Sequence, residues 1–143
     1  MYRSLTNIPY SNLSNANKNE ILTYLGSIFR QLFPYFAKEN SDIKLDPSLP
    51  ITLEPTITST ENGQFNLQIH PLQPNNAGTI DALCIYLQDK LIGNNIFTNI
   101  NPNPDPNSVN SITVTVNPEK TTMNRVTALG RRLGLQSESA VAR

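Results

Sequence analysis

Apolar residues recur with helical spacing through residues 18–36, KNEILTYLGSIFRQLFPYF. At 100° per residue, Ile21, Leu22, Leu25, Ile28, Phe29, Leu32, Phe33 and Phe36 fall within one arc of about 140°, with Thr23, Ser27, Arg30 and Gln31 opposite. This predicts a helix with one wide buried face. Asn17 is placed to cap its first turn, with Glu20 as capping-box partner. Pro34 lacks an N–H and crowds the carbonyl of Arg30, so a stop or kink is expected near Phe33.

The period then changes from helical to alternating. Residues 51–72, ITLEPTITSTENGQFNLQIHPL, alternate on both sides of Asn62-Gly63 and predict a β-hairpin. A two-residue turn would split the apolar residues between faces. A three-residue Glu61-Asn62-Gly63 loop sets Ile57 opposite Leu67 and gathers Leu53, Ile57, Phe65, Leu67 and Ile69 on one face, so burial favours it. Gly63 then needs a positive φ, and Pro55 makes the first strand an edge. Residues 79–92 predict a second helix, capped by Thr79 and stopped by Gly93, with Ile80, Leu83, Cys84, Leu87 and Leu91 inward. Ile85, Tyr86 and Ile92 lie off that face and suggest cover on a second side. Residues 109–116 read as a strand with Ile112, Val114 and Val116 on one side, followed by a weaker helix over 122–133.

Between these elements lie irregular stretches. Residues 1–17 read as an arm with apolar anchors at Tyr2, Leu5, Ile8, Tyr10 and Leu13. Residues 41–50 and 71–78 read as linkers. Residues 94–108, NNIFTNINPNPDPNS, read as a long loop with anchors at Ile96, Phe97 and Ile100. The expected architecture is α+β: a small, mostly antiparallel sheet with two helices on one face, plus extended N- and C-terminal arms. Its parts are an arm at 1–17, a core at 18–117, and a basic helix or arm at 118–143.

Composition sharpens this picture. A chain of 143 residues suits one domain with a true core. Charged residues are 15%, against about 25% in typical domains, so the polar character rests on 19 Asn and 13 Thr. The formal net charge is zero, which argues against bulk polyanion binding. Its distribution is uneven, with basic ends around an acidic middle, an arrangement that favours head-to-tail contacts between copies. No apolar run approaches a membrane span, and residues 1–17 lack the apolar core of a signal peptide. The chain therefore reads as soluble, with no membrane partner.

Candidate chemistry is sparse. His70 and Cys84 are the sole histidine and cysteine, too few for a zinc site within one chain and for any internal disulfide. The glycines have turn or cap readings and form no phosphate loop. Asp81 and Asp89 are a carboxylate pair without supporting groups. The expectation is a non-enzyme without cofactor or metal. Its partner-binding residues are expected among Tyr2, Leu5, Ile8, Tyr10, Ile96 and Phe97 on the arm and loop, Tyr24 and Tyr35 on the first helix, and Arg125, Arg131 and Arg132 near the C-terminus.

Two resemblances follow. Residues 111–143, SITVTVNPEKTTMNRVTALGRRLGLQSESAVAR, resemble the start of a ribbon-helix-helix DNA-binding domain. Residues 112–116 would be the strand, 125–133 the first helix and 137 onward the second. The resemblance implies a dimeric regulator with Thr113, Thr115 and Asn117 facing the major groove. The stretch departs from the family in leaving few residues for the second helix and no basic residue at the groove-facing positions. In overall character, the low charge, the abundance of Asn, Thr and Pro and the apolar-studded arms resemble capsid decoration (cement) proteins of phages and viruses, and next to them tail or connector proteins. That resemblance implies a non-catalytic virion component, a dimer or trimer whose arms bridge copies of itself and a major structural protein, located in the virion or otherwise in the cytoplasm.

Overall fold

The computed structural model describes residues 5–40, 51–71, 77–91, 95–103 and 111–135. Two 3-10 turns at Leu5–Asn7 and Tyr10–Asn12 precede helix α1 (Asn15–Glu39), strands β1 (Thr52–Ser59) and β2 (Gln64–His70), helix α2 (Ala77–Lys90), strands β3 (Phe97–Pro102) and β4 (Ser111–Val116), and helix α3 (Met123–Arg132). The four strands form one antiparallel sheet in the order β1-β2-β4-β3. The class is α+β, with α1 and α2 packed on the sheet face that carries Leu53, Phe65, Leu67, Ile69, Ile112, Val114 and Val116.

Helix α1 is longer than its periodicity implied. Ser14, not Asn17, is the N-cap, and its hydroxyl accepts from the Asn17 N–H at 3.2 Å. The chain then continues helically past Pro34 to Glu39. Pro34 sits on the exposed side, next to Arg30 on the same side, so water can take up the carbonyl that proline orphans. Phe33 and Phe36 on the inner side stay buried and hold the last turns in place. Phe29 anchors the middle of the helix, with its ring 5.5 Å from both Phe65 and Phe97 in edge-on geometry.

The β1–β2 hairpin has the expected faces but a different register. Ile57 pairs with Phe65, Pro55 with Leu67 and Leu53 with Ile69, two residues away from the three-residue-loop register. The turn spans 60–63, with an irregularity between Ile57 and Ser59. A shift of two leaves every side chain on its face, which is why burial alone could not distinguish the two registers. Gly63 has φ +70°, as the turn requires, and Pro55 lies on the edge strand.

Residues 97–102 correct the reading of 94–108 as one long loop. They form β3, with Ile96 and Ile100 buried, against the outer edge of β4. Asn99, Asn101 and Pro102 are poor strand formers, and an irregularity between Phe97 and Asn99 breaks the alternation. Pairing with β4 overrides both. Residues 94 and 104–108 lie outside the described residues, as do Ile92, Gly93, the 41–50 linker, most of the 71–78 loop and the chain beyond 135.

Helix α2 begins two residues before Thr79 and buries Ile80, Leu83, Cys84 and Leu87 as expected, with Leu91 buried just beyond its end, whereas Ile85 points outward at 67% exposure. Helix α3 is capped by Thr122, whose hydroxyl accepts from the Arg125 N–H at 3.1 Å. It ends in a Schellman motif: Leu135 N–H donates to Gly130 O, and Gly134, at φ +72°, donates to Arg131 O. Tyr10, the inner faces of all three helices and the sheet form a single apolar cluster, so residues of the 1–17, 18–117 and 118–143 segments share one core.

Candidate interaction surfaces

The expected partner-binding residues separate by burial. Tyr10 is 1% exposed. Its N–H donates to Thr121 O at 2.8 Å, and the neighbouring Ser11 N–H donates to Pro118 O at 2.9 Å. Its hydroxyl donates to the carbonyl of Thr60 in the hairpin turn, and Lys18 Nζ lies 5.5 Å from its ring centre. Burial pushes its phenol up to about 12. What pins this part of the N-terminal segment is therefore the chain itself, and Tyr10 presents no surface to another copy. Tyr24 is likewise buried, with its hydroxyl beneath Gly130 of α3. Ile96 is buried under the sheet's end, and Phe97 is half-buried against Phe29.

Of the remaining candidates, Ile8 is half-buried, while Tyr35, Arg125, Arg131 and Arg132 are exposed. Leu5 lies in the first 3-10 turn, and Tyr2 lies outside the described residues. The three arginines sit on α3 and make no ion pair among the described residues.

Sequence reasoning missed one exposed polar face among the described residues. Opposite the helices, the sheet displays a rung of Thr56, Asn66, Thr113 and Asn101 across all four strands. Beside it run Gln64, Thr115 and Asn99 on one side, and Glu54, Gln68 and Ser111 on the other. Apart from Ser111, these side chains are exposed or half-buried. Thr113 Oγ1 donates to Asn66 Oδ1 at 3.1 Å, and Asn101 Nδ2 to Asn99 Oδ1 at 3.3 Å, which leaves each amide with further hydrogen-bonding capacity. Glu54 is the one acid in these rungs, and it faces Arg30 at 3.7 Å. The signal was present in the sequence as the polar half of each alternation, but only the pairing of β3 with β4 completes the face.

The same geometry bears on the ribbon-helix-helix resemblance. In that family the strand pairs with its counterpart from a second subunit. Here β4 is central, bonded to β2 on one edge and to β3 on the other, and has no free edge to offer.

Conventional reactive constellations are lacking among the described residues. No group of three or more His, Cys, Asp or Glu is placed to hold a metal. Cys84 is buried, and burial, with a smaller contribution from Asp81, pushes its thiol up to about 11, so it is protonated and unreactive at neutral pH. Asp81 and Asp89 stand on exposed positions of α2, eight residues and so about 12 Å apart along the axis, too far to share a proton. An open depression of about 310 Å³ between the end of α2 and β3 is lined by Gln88, Asn95, Asn99 and Asn101 and carries no titratable group. No helix among the described residues is long and apolar enough to cross a membrane.

Comparison with family models, with curated proteins and with solved structures finds no match to this chain.

Proposed function

We propose that this protein is a non-catalytic structural component of a large assembly: a virion protein of the capsid-decoration kind, or a tail or connector protein. It would associate with copies of itself and with a major structural protein. The observation that carries this reading is the open face of the sheet. Its amides and hydroxyls can exchange water for a partner's backbone and side chains without the cost of burying unpaired charge. Three asparagines, Asn66, Asn99 and Asn101, and three threonines, Thr56, Thr113 and Thr115, stand on it. Many modest contacts of this kind, repeated over a symmetric assembly, add to firm attachment.

The test is incorporation. Density-gradient fractions of the source material, probed for this chain, are expected to show it in a high-mass particle at a fixed ratio to a major protein. Thr113→Lys and Asn66→Lys, which place charge in the middle of the face, should lower that ratio while leaving the fold intact. Recovery solely in low-mass fractions overturns the reading. Deleting residues 1–15 is not a clean alternative, because it removes Tyr10 from the core.

A further inference from the structure

Tyr35 and Ile85 are the two large apolar side chains that stand exposed among the described residues, at 53% and 67%. Each stands beside a residue of the contact between α1 and α2. Phe36, next to Tyr35, packs its ring 5.5 Å from that of Tyr86, next to Ile85. Burial raises the Tyr86 phenol, with smaller effects from Glu39 and Tyr35, so both groups stand close by. On α2, Asp81, Ile85 and Asp89 follow one another at intervals of four residues and form an exposed stripe of acid, isoleucine and acid about 12 Å long. Two lysines border this contact. The ammonium of Lys90 lies 5.3 Å from the Tyr86 ring centre, and Lys38 is exposed on α1.

A stripe of the opposite sign lies on α3. Arg125, Ala128 and Arg132 are exposed at positions i, i+3 and i+7, which spans about 10 Å, with Arg131 beside them. Glu119 and Lys120, just before the helix, offset one another. Helix α3 packs on α1 through Gly130, against Tyr24 and Ile28, while α2 meets α1 at Phe36. The twelve residues between Tyr24 and Phe36 separate these contacts by about 18 Å along α1. No ion pair joins the two stripes within the chain among the described residues.

The stripes are similar in length, opposite in sign, and set a small centre, Ala128, against a projecting one, Ile85. We propose that the Arg125, Ala128 and Arg132 stripe of one copy docks on the Asp81, Ile85 and Asp89 stripe and Tyr35 of the next, joining copies head to tail. Arginine suits this role, since its stem covers apolar surface and its guanidinium stacks on a tyrosine ring. Such a contact is heterologous, so it builds rings or rows rather than an isolated pair. The inference rests on the assembly reading above and names the contact between copies.

The test uses the purified full chain in sedimentation velocity across protein concentration and salt. The wild type is expected to self-associate at low salt and to dissociate as salt screens the contact. R125E/R132E and D81R/D89R should each weaken association about tenfold or more. An equimolar mixture of the two variants should associate again, because each supplies the sign the other lacks. Circular dichroism checks that these surface variants are folded. A wild type that stays monomeric overturns the proposal and leaves the two patches to a different partner of matching charge. Association that ignores both substitutions, or a mixture that fails to recover, also overturns it. Either result leaves the particle-incorporation experiment free to succeed on its own.

Discussion

Gly26 of α1 lies directly against Pro55 of β1: a Cβ on the glycine would stand 2.7 Å from the Cβ of the proline. The contact brings the longest helix down onto an edge strand, and it needs a residue without a side chain at that turn. Gly26→Ala gains about 1 kcal/mol of helix propensity. It forces apart two rigid groups at a cost of about 1–3 kcal/mol. The expected net outcome is a destabilisation of about 0–2 kcal/mol in urea denaturation, and more for Gly26→Val. An unchanged midpoint for both variants would show that α1 does not sit this close.

Tyr10 ties the N-terminal segment to the core. Tyr10→Ala should cost about 3–5 kcal/mol, as for loss of a large buried aromatic. Tyr10→Phe, which leaves the Thr60 carbonyl without its donor, should cost about 1 kcal/mol. Thermal melts of the two variants, compared with the wild type, check the order.

The same residue predicts an alkaline limit. Its phenol ionises at about 12 rather than the ordinary 10.0 because burial disfavours the phenolate. The folded state is therefore favoured by this group below pH 10, and that contribution is lost as the pH rises towards 12. Tyrosinate absorbance should show a late-titrating fraction that shrinks in Tyr10→Phe, with Tyr86, also raised by burial, supplying the remainder.

Gly63 carries two constraints at once. Its φ of +70° disfavours any L side chain, and a Cβ there would come 2.5 Å from Val116 Cγ2. Gly63→Ala should cost about 2–5 kcal/mol, the sum of left-handed strain and overpacking. Gly134, also at positive φ but with open space around it, should show the strain alone, about 1–2 kcal/mol, in the same denaturation series.

Cys84 should resist disulfide-exchange reagents at neutral pH in the folded protein and react at once when denaturant is added. Reactivity should rise as the pH approaches about 11. Fast reaction of the native protein at neutral pH would contradict the burial of the thiol.

Much of this fold was written in the order of apolar residues. The inner faces of α1 and α2, the alternation in β2 and β4, the positive φ at Gly63 and the existence of α3 follow from local spacing, because each depends on neighbours a few residues away. The surfaces were less legible. Arg125, Arg131, Arg132 and Tyr35 are exposed. Tyr10 and Ile96 went the other way, because a lone apolar residue in an irregular stretch looks the same whether it seeks another chain or its own core; Tyr24, on the first helix, is covered by α3, whose docking its own spacing does not reveal. The hairpin register failed for a related reason: two residues of slip change the turn and leave the faces untouched.

By itself, the sequence determined which segments are helical, which alternate, and that a large apolar stripe had to be buried. Those are consequences of period and of the cost of exposing apolar area. Only the tertiary structure decided that an Asn- and Pro-rich stretch becomes β3, that the first turns fold back onto the hairpin, and that α1 runs through its proline. In each case long-range pairing or packing outweighed a local preference worth about 1–3 kcal/mol. The open polar face and the opposed charge stripes of α2 and α3 arise from the same long-range arrangement.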